Sequence, residues 1–219
     1  MNKILEYSLS IPKSIFFCFR CLSFRNALHL PILIRYNVMI KSIGDIELKE
    51  VGFGCVRIGF GDVGIFDKAH ERSIWDVKGK VSFLGHCFIG HGSRIVVGPE
   101  GQVKFGDFFR CTSAMSLICF KEICFGYRVL VSWDTLFMDT DFHYVQDLSD
   151  NTIIDNRKPI IVGNHVWIGC RTTIMKNTRI NNDSIVAAGT VVVGQYNETN
   201  IIIGGCPSRI VKKGINWKE

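Results

Sequence analysis

The sequence predicts an all-β solenoid: a parallel β-helix of hexapeptide repeats, with a short N-terminal helical cap and one protruding loop. Three observations carry this. Every sixth residue from Val162 is aliphatic: Val162, Ile168, Ile174, Ile180, Val186 and Val192. Two places before each stands a β-branched or small residue, namely Ile160, Val166, Thr172, Thr178, Ser184 and Thr190. Just after each come Gly163, Gly169, Met175, Asn181, Ala187 and Val193, of which four are Gly, Asn or Ala. A period of six is neither the 3.6 of a helix nor the plain alternation of a meander. It is even, so aliphatics six apart on short extended pieces face the same way, with a corner between each pair. Gly and Asn after the aliphatic suit the positive-φ backbone of a tight bend. Hexapeptide repeats belong to parallel β-helices, in which no coil buries its apolar side alone.

The totals agree. A chain of 219 residues with 47% hydrophobic content can bury a sizeable core, which argues against intrinsic disorder. The net charge of +6 comes from scattered Lys and Arg without a dense run, so no nucleic-acid partner is expected. Nine irregularly spaced cysteines and no secretion signal read as reduced thiols used as small apolar residues. Cys18 and Cys21 form a lone C-x-x-C, but they lie among Phe16, Phe17, Phe19 and Leu22, which favours packing over redox or zinc chemistry.

Residues 1–35 read as a cap of short helices, Asn2 to Leu9 and Pro12 to Leu22, with Asn26 capping a further turn. Pro31 then forces an extended chain. Charges cut the apolar runs here far below the ~20 residues a bilayer span needs. The expected location is cytoplasmic, at the inner face of the membrane if this basic, aromatic segment makes a peripheral contact. Residues 36–213 form the solenoid. Phe83, Ile89 and Ile95 keep the period, as do Phe105, Cys111, Leu117 and Ile123, and then Phe125, Val131 and Phe137. Asp139 to Pro159 carries no register and is rich in Asp, Asn and Ser. A non-repeating loop of that length between repeat blocks is either disordered or functional. A basic stretch, Arg209 to Lys213, ends the fold, and 214–219 is a tail.

His143 stands at the mouth of that loop, in Met138-Asp139-Thr140-Asp141-Phe142-His143. An imidazole titrates near neutrality and can take a proton from a hydroxyl. Asp139 or Asp141 could hold it in one tautomer. The same pattern also fits a solvated loop histidine. His86 and His91 could hold zinc as a pair, yet both lie at corner positions where polar residues are ordinary. Arg209, Lys212 and Lys213 suit the phosphates of an anionic cofactor or a solvated chain end. Trp167 alternates with the stacked Ile168 and so points outward, where a Trp more often marks an interface or ligand contact.

Three motifs resemble the hexapeptide-repeat acyltransferases, above all the bacterial sugar and polysaccharide O-acetyltransferases. They are Ser132-Trp133-Asp134 followed by Met138 to His143, Gly163-Asn164-His165-Val166-Trp167-Ile168-Gly169, and Gly204-Gly205-Cys206-Pro207-Ser208-Arg209-Ile210-Val211-Lys212. The resemblance implies a left-handed helix of triangular section, although general crossover rules favour the right hand. It also implies a homotrimer with active sites between subunits, acetyl-CoA as donor, a sugar acceptor and no metal. His143 would be the general base, with Asp141 and Asp139 beside it and Trp133 and Asp139 at the acceptor. Trp167 would line the CoA channel, Cys170 and Ala188 would meet the pantetheine arm, and Arg209 and Lys212 the phosphates. Val193-Gly194 and Asn197-Glu198 depart from the family pattern and bear on one phosphate contact. The resemblance also admits an amino acid or antibiotic acceptor, and the same solenoid a carbonic-anhydrase-like metalloenzyme.

Overall fold

A computed structural model describes residues 3 to 218. The chain winds as a parallel β-helix in which, the strands of a protruding hairpin aside, each strand pairs with the one a full turn later, giving sheets of nine, seven and seven strands, the first of which ends in one antiparallel strand, Arg209–Lys213. We call the sheets faces A, B and C, in the order the chain visits them. Face A runs from Ile32–Ile34 to Ile201–Gly204, face B from Met39–Ser42 to Val191–Val192, and face C from Asp45–Leu48 to Gln195–Tyr196. The hexad aliphatics Val162, Ile168, Ile174, Ile180, Val186 and Val192 are all buried, as are the residues two places before them. Register confirms the stacking: Val131 lies beside Ile168, and Ile168 beside Val186. Where the interior widens, Phe83, Phe105 and Phe125 stack with ring centroids 5.4 Å apart and nearly parallel planes.

The corners differ from the expectation in one respect. Positive φ falls not on the residue after each aliphatic but two places further on, at His165, Arg171, Asn177, Asp183 and Gly189. Gly163 and Gly169 are required for another reason. A Cβ on Gly163 would stand 2.5 Å from Asn182 Oδ1, and one on Gly169 2.6 Å from the Ala188 backbone N. These glycines permit close stacking of coils rather than a left-handed bend.

At the N-terminus one continuous helix, Lys3–Cys21, replaces the two expected, with Pro12 inside it; Asn2 lies outside the described residues. The helix survives Pro12 because its other face closes the open edge of the first coil, an edge that would otherwise invite pairing with another chain. The backbone N–H of Ile34 donates to Ser14 Oγ at 2.9 Å, and that of Tyr36 to Ser10 Oγ at 3.1 Å. Lys13 Nζ donates to the carbonyls of Tyr36 and Val38 at 2.5 and 2.8 Å. Glu6, nearly fully buried, bridges Arg35 at 2.6 Å and Lys68 at 2.8 Å. A second helix, Phe24–Ala27, is capped by Ser23 rather than Asn26: the Asn26 N–H donates to Ser23 Oγ. Cys18 donates to the Ile32 carbonyl, and burial pushes the Cys21 thiol up to about 12, as suits packing rather than redox chemistry. Leu5, Leu9, Phe16 and Phe19 remain exposed on the helix. No described helix is long and apolar enough to cross a membrane.

The irregular stretch from Asp139 to Pro159 is an arm standing out from the edge where face B meets face C. It is a small antiparallel hairpin of Val145–Gln146 and Ile153–Ile154, with Phe142, Tyr144, Leu148 and Ile153 exposed. The outward sides of the faces differ in chemistry. Along face B the row beside the arm reads Ser42, Asp76, Val96, Ile118, Met138 and Met175. Along face C the outward row reads Glu47, Ser82, Lys104, Cys124, Ile161, Arg179 and Gln195. From Val96 onward face B is thus the more apolar of the two.

Candidate active site

The root of the arm is held by Asp139. Its slot is the inward one at the end of a face B strand, and its side chain is fully buried. One carboxylate oxygen accepts from the Phe120 N–H at 2.7 Å; the other accepts from the N–H groups of Lys121 and Glu122, both at 2.8 Å. The Cys119 thiol donates to the same oxygen at 3.3 Å, and the carboxylate, after burial itself, helps hold that thiol far above its ordinary range. Asp139 therefore caps the preceding corner from inside. Among the described residues no hydrogen bond or ion pair joins it to His143.

Asp141 is engaged as well, in an ion pair with Lys176 Nζ at 2.5 Å. Lys176 also donates to the Asp155 carbonyl at 3.2 Å, so it ties both ends of the arm to the solenoid. Lys121 donates to Asp155 at 3.2 Å, and Arg157 pairs with Glu100 at 2.8 Å. His143 stands in the turn these bonds define, its N–H donating to the Asp141 carbonyl at 2.7 Å. Its side chain is exposed, and no described side chain orients the ring. The fold supplies a firm root and an imidazole presented outward.

The remaining predicted residues gather elsewhere. Trp167 lies on the outward side of face A, its indole N–H donating to Ser132 Oγ at 3.2 Å. By register Trp167, Ile185, Ile202 and Lys212 form one outward column, Lys212 being on the final antiparallel strand Arg209–Lys213. Trp133, Cys170 and Ala188 stand one above another at the edge where face A meets face B, two residues beyond the paired Val131, Ile168 and Val186. Arg209 sits at the end of that edge, opposite Gly204. Arg209 and Lys212 are exposed and, among the described residues, neither pairs with a carboxylate, whereas Lys213 is bound by Glu198 at 2.6 Å. The small Ala188 is exposed, leaving room along the edge.

Sequence reasoning missed Trp217, assigned to a free tail. Its ring stacks on His165 at 4.4 Å, its N–H donates to the His165 carbonyl at 2.9 Å, and it lies 6.2 Å from Trp167. His165 is further bonded to Asp183 at 2.9 Å, so its place is structural. No repeat or motif marks Trp217, because it docks from outside the periodic stretch. His86 and His91 occupy opposite ends of the strand Cys87–Gly90. Strand rise separates them by roughly 16 Å, too far to share one ion. No group of three potential ligands capable of holding a metal occurs among the described residues.

The chain is an acyltransferase and belongs to the hexapeptide-repeat acyltransferase family. Membership rests on the galactoside O-acetyltransferase of Escherichia coli, to which it is 33% identical over 68% of its own length and 73% of that protein's. A polysialic acid O-acetyltransferase of Neisseria meningitidis is 39% identical over 71% of this chain and 60% of its own length. An uncharacterized 24.8 kDa protein in the cps region of Klebsiella pneumoniae is 29% identical over 92% and 87%. Among solved structures, the polySia-specific acetyltransferase NeuO aligns with a TM-score of 0.54 at 18% identity, covering 86% of this chain and 79% of its own, and shows the shared fold. That fold is the left-handed parallel β-helix. No family model matches the sequence.

Proposed function

We propose that the protein transfers an acetyl group from acetyl-CoA to a hydroxyl of a polysaccharide or lipopolysaccharide sugar, as a trimer whose active sites lie between subunits. One observation carries this reading: the cofactor-type residues line face A and its edge with face B, while His143 leaves from the opposite edge of face B. Five residues of strand and corner separate Cys170 from Lys176, roughly 15–20 Å by strand rise. An imidazole has no such reach, so the His143 of one copy serves the face A edge of the next. The apolar row on face B and the exposed Phe142, Tyr144, Leu148 and Ile153 of the arm support the same packing.

The residues present fit the donor. Trp167 offers a partly exposed ring to the channel, Cys170 and Ala188 leave the edge low enough for a pantetheine arm, and Arg209 and Lys212 are free for phosphates. His143 accepts the proton of the acceptor hydroxyl as its oxygen attacks the thioester carbonyl. The C–S bond then breaks, and the same imidazole returns the proton to the departing thiolate. Backbone N–H groups would steady the tetrahedral oxyanion. The names of the relatives support a glycan hydroxyl as acceptor, and the use of acetyl-CoA supports a cytoplasmic site of action.

Calorimetry tests the donor. Wild type should bind acetyl-CoA saturably, and the Arg209→Ala, Lys212→Ala double variant about tenfold or more weakly. No binding by wild type at millimolar acetyl-CoA, roughly the upper end of ordinary substrate levels, would rule the transferase out.

A further inference from the structure

Face A carries a second groove, on the N-terminal side of Trp167, that no step of the transfer uses. Arg57, Phe88 and Arg110 are outward neighbours on three consecutive coils. Beside them, along the edge where face C meets face A, His86 stacks on Phe108 at 5.2 Å, and Phe108 meets Tyr127 edge-on at 5.9 Å. Arg128 follows on the next coil. Together they enclose an open cavity of about 500 Å³, within the range of ligand sites at about 300–1,000 Å³. The Arg110 guanidinium lies over the Phe88 ring at 5.9 Å, and Arg57 Nε donates to the Gly54 carbonyl at 3.1 Å.

The charge is directional. Among the described residues no carboxylate pairs with Arg57, Arg110 or Arg128. The two acids at the rim, Glu50 and Asp107, face His86 at 3.7 and 3.5 Å. Asp107 is already engaged by the N–H groups of His86 and Phe108. Guanidinium forks match carboxylates, and aromatic faces match the C–H faces of sugar rings. The arrangement is also extended: Arg57 and Arg110 lie two coils apart, roughly 10 Å along the axis. Such spacing suits a polymer with recurring charges better than a compact anion. The column then continues from Arg110 through Leu130 to Trp167 on the same face.

We infer that this groove is a distal subsite for an acidic polysaccharide, holding carboxylate-bearing sugars of the acceptor chain while another sugar of that chain reacts. The inference rests on the glycan acceptor proposed above. A chain anchored here gains binding from sugars that do not react, so the site would favour polymer over free sugar.

Affinity electrophoresis with polygalacturonate, hyaluronate and polysialic acid, and with neutral dextran as control, tests it without requiring turnover. Wild type should be retarded by at least one acidic polymer and not by dextran. The Arg57→Gln, Arg110→Gln variant should bind that polymer about tenfold more weakly, with unchanged acetyl-CoA binding and thermal midpoint. Phe108→Ala should weaken it too, since stacking is lost without any change in charge. Equal retardation of wild type and variants, or no retardation by any acidic polymer while acetyl-CoA still binds, overturns the subsite and leaves the transferase standing. Competition by inorganic phosphate or phosphatidylglycerol vesicles as effective as the polymer would make it a general anion site and likewise overturn the assignment. Loss of acetyl-CoA binding in wild type would instead condemn the transferase itself.

Discussion

The His143→Ala variant is expected to lose turnover by about 10²–10⁴-fold, the ordinary contribution of a positioned general base. Acetyl-CoA affinity and thermal midpoint should stay at wild-type values. The imidazole is exposed at the root of the arm and makes no side-chain contact that the fold depends on, so removing it costs little stability. Because Asp139 and Asp141 are committed to the backbone and to Lys176, they do not compensate as alternative bases on the same turn. Full activity in the variant would remove His143 from the chemistry. A loss of activity that tracked a loss of folded protein would reduce it to a structural residue. Steady-state rates beside a melting curve separate the outcomes.

The largest effect on stability is expected at Asp139. Alanine there strands three backbone N–H groups at a part-buried corner. At about 1–3 kcal/mol for each unsatisfied group, and with part of the loss relieved by water or local movement, the cost is about 3–6 kcal/mol. Global stability is commonly only about 5–15 kcal/mol. For a chain of this size the melting midpoint should drop by roughly 10–20 °C. Asn retains one acceptor oxygen but turns an N–H₂ toward donors, so Asp139→Asn should fall between. A catalytic orienting acid would behave oppositely, with activity collapsing at an unchanged midpoint. That pattern would contradict the capping role assigned to Asp139.

The environment of Asp139 is not legible from its neighbours in the chain. It is two residues from Asp141 and four from His143, and proximity along the chain suggests a constellation. The even period decides otherwise. Leu117, Cys119, Phe137 and Asp139 occupy inward slots on face B, and an acid in an inward slot must find buried donors. The period was enough to find the solenoid, the buried aliphatics and the arm, because stacking repeats one local requirement many times. It said little where the fold depends on single long-range contacts. Glu6 reads as a polar break in an apolar segment, yet it meets Arg35 and Lys68 in the interior. Ser10 and Ser14 carry no signal in the sequence, yet they supply the acceptors that close a sheet edge. Trp217 reads as the end of a tail, yet it packs on His165. Each is specified by a partner far away in sequence, which no periodicity announces. The groove of Arg57, Phe88 and Arg110 was hidden for the same reason, since its residues are adjacent only across coils.

The split of the site between copies is tested most directly by mixing two inactive variants, His143→Ala and Ala188→Trp, the second blocking the edge beside Trp167. They would be unfolded together, refolded as mixed trimers and assayed. Each mixed trimer should contain one intact site, formed by His143 of one copy and the open edge of its neighbour. Random mixing in equal amounts should therefore restore about a quarter of wild-type activity in a closed three-fold ring. Activity no higher than that of the two variants alone, in mixtures shown to contain hybrid trimers, would mean that one chain holds the whole site.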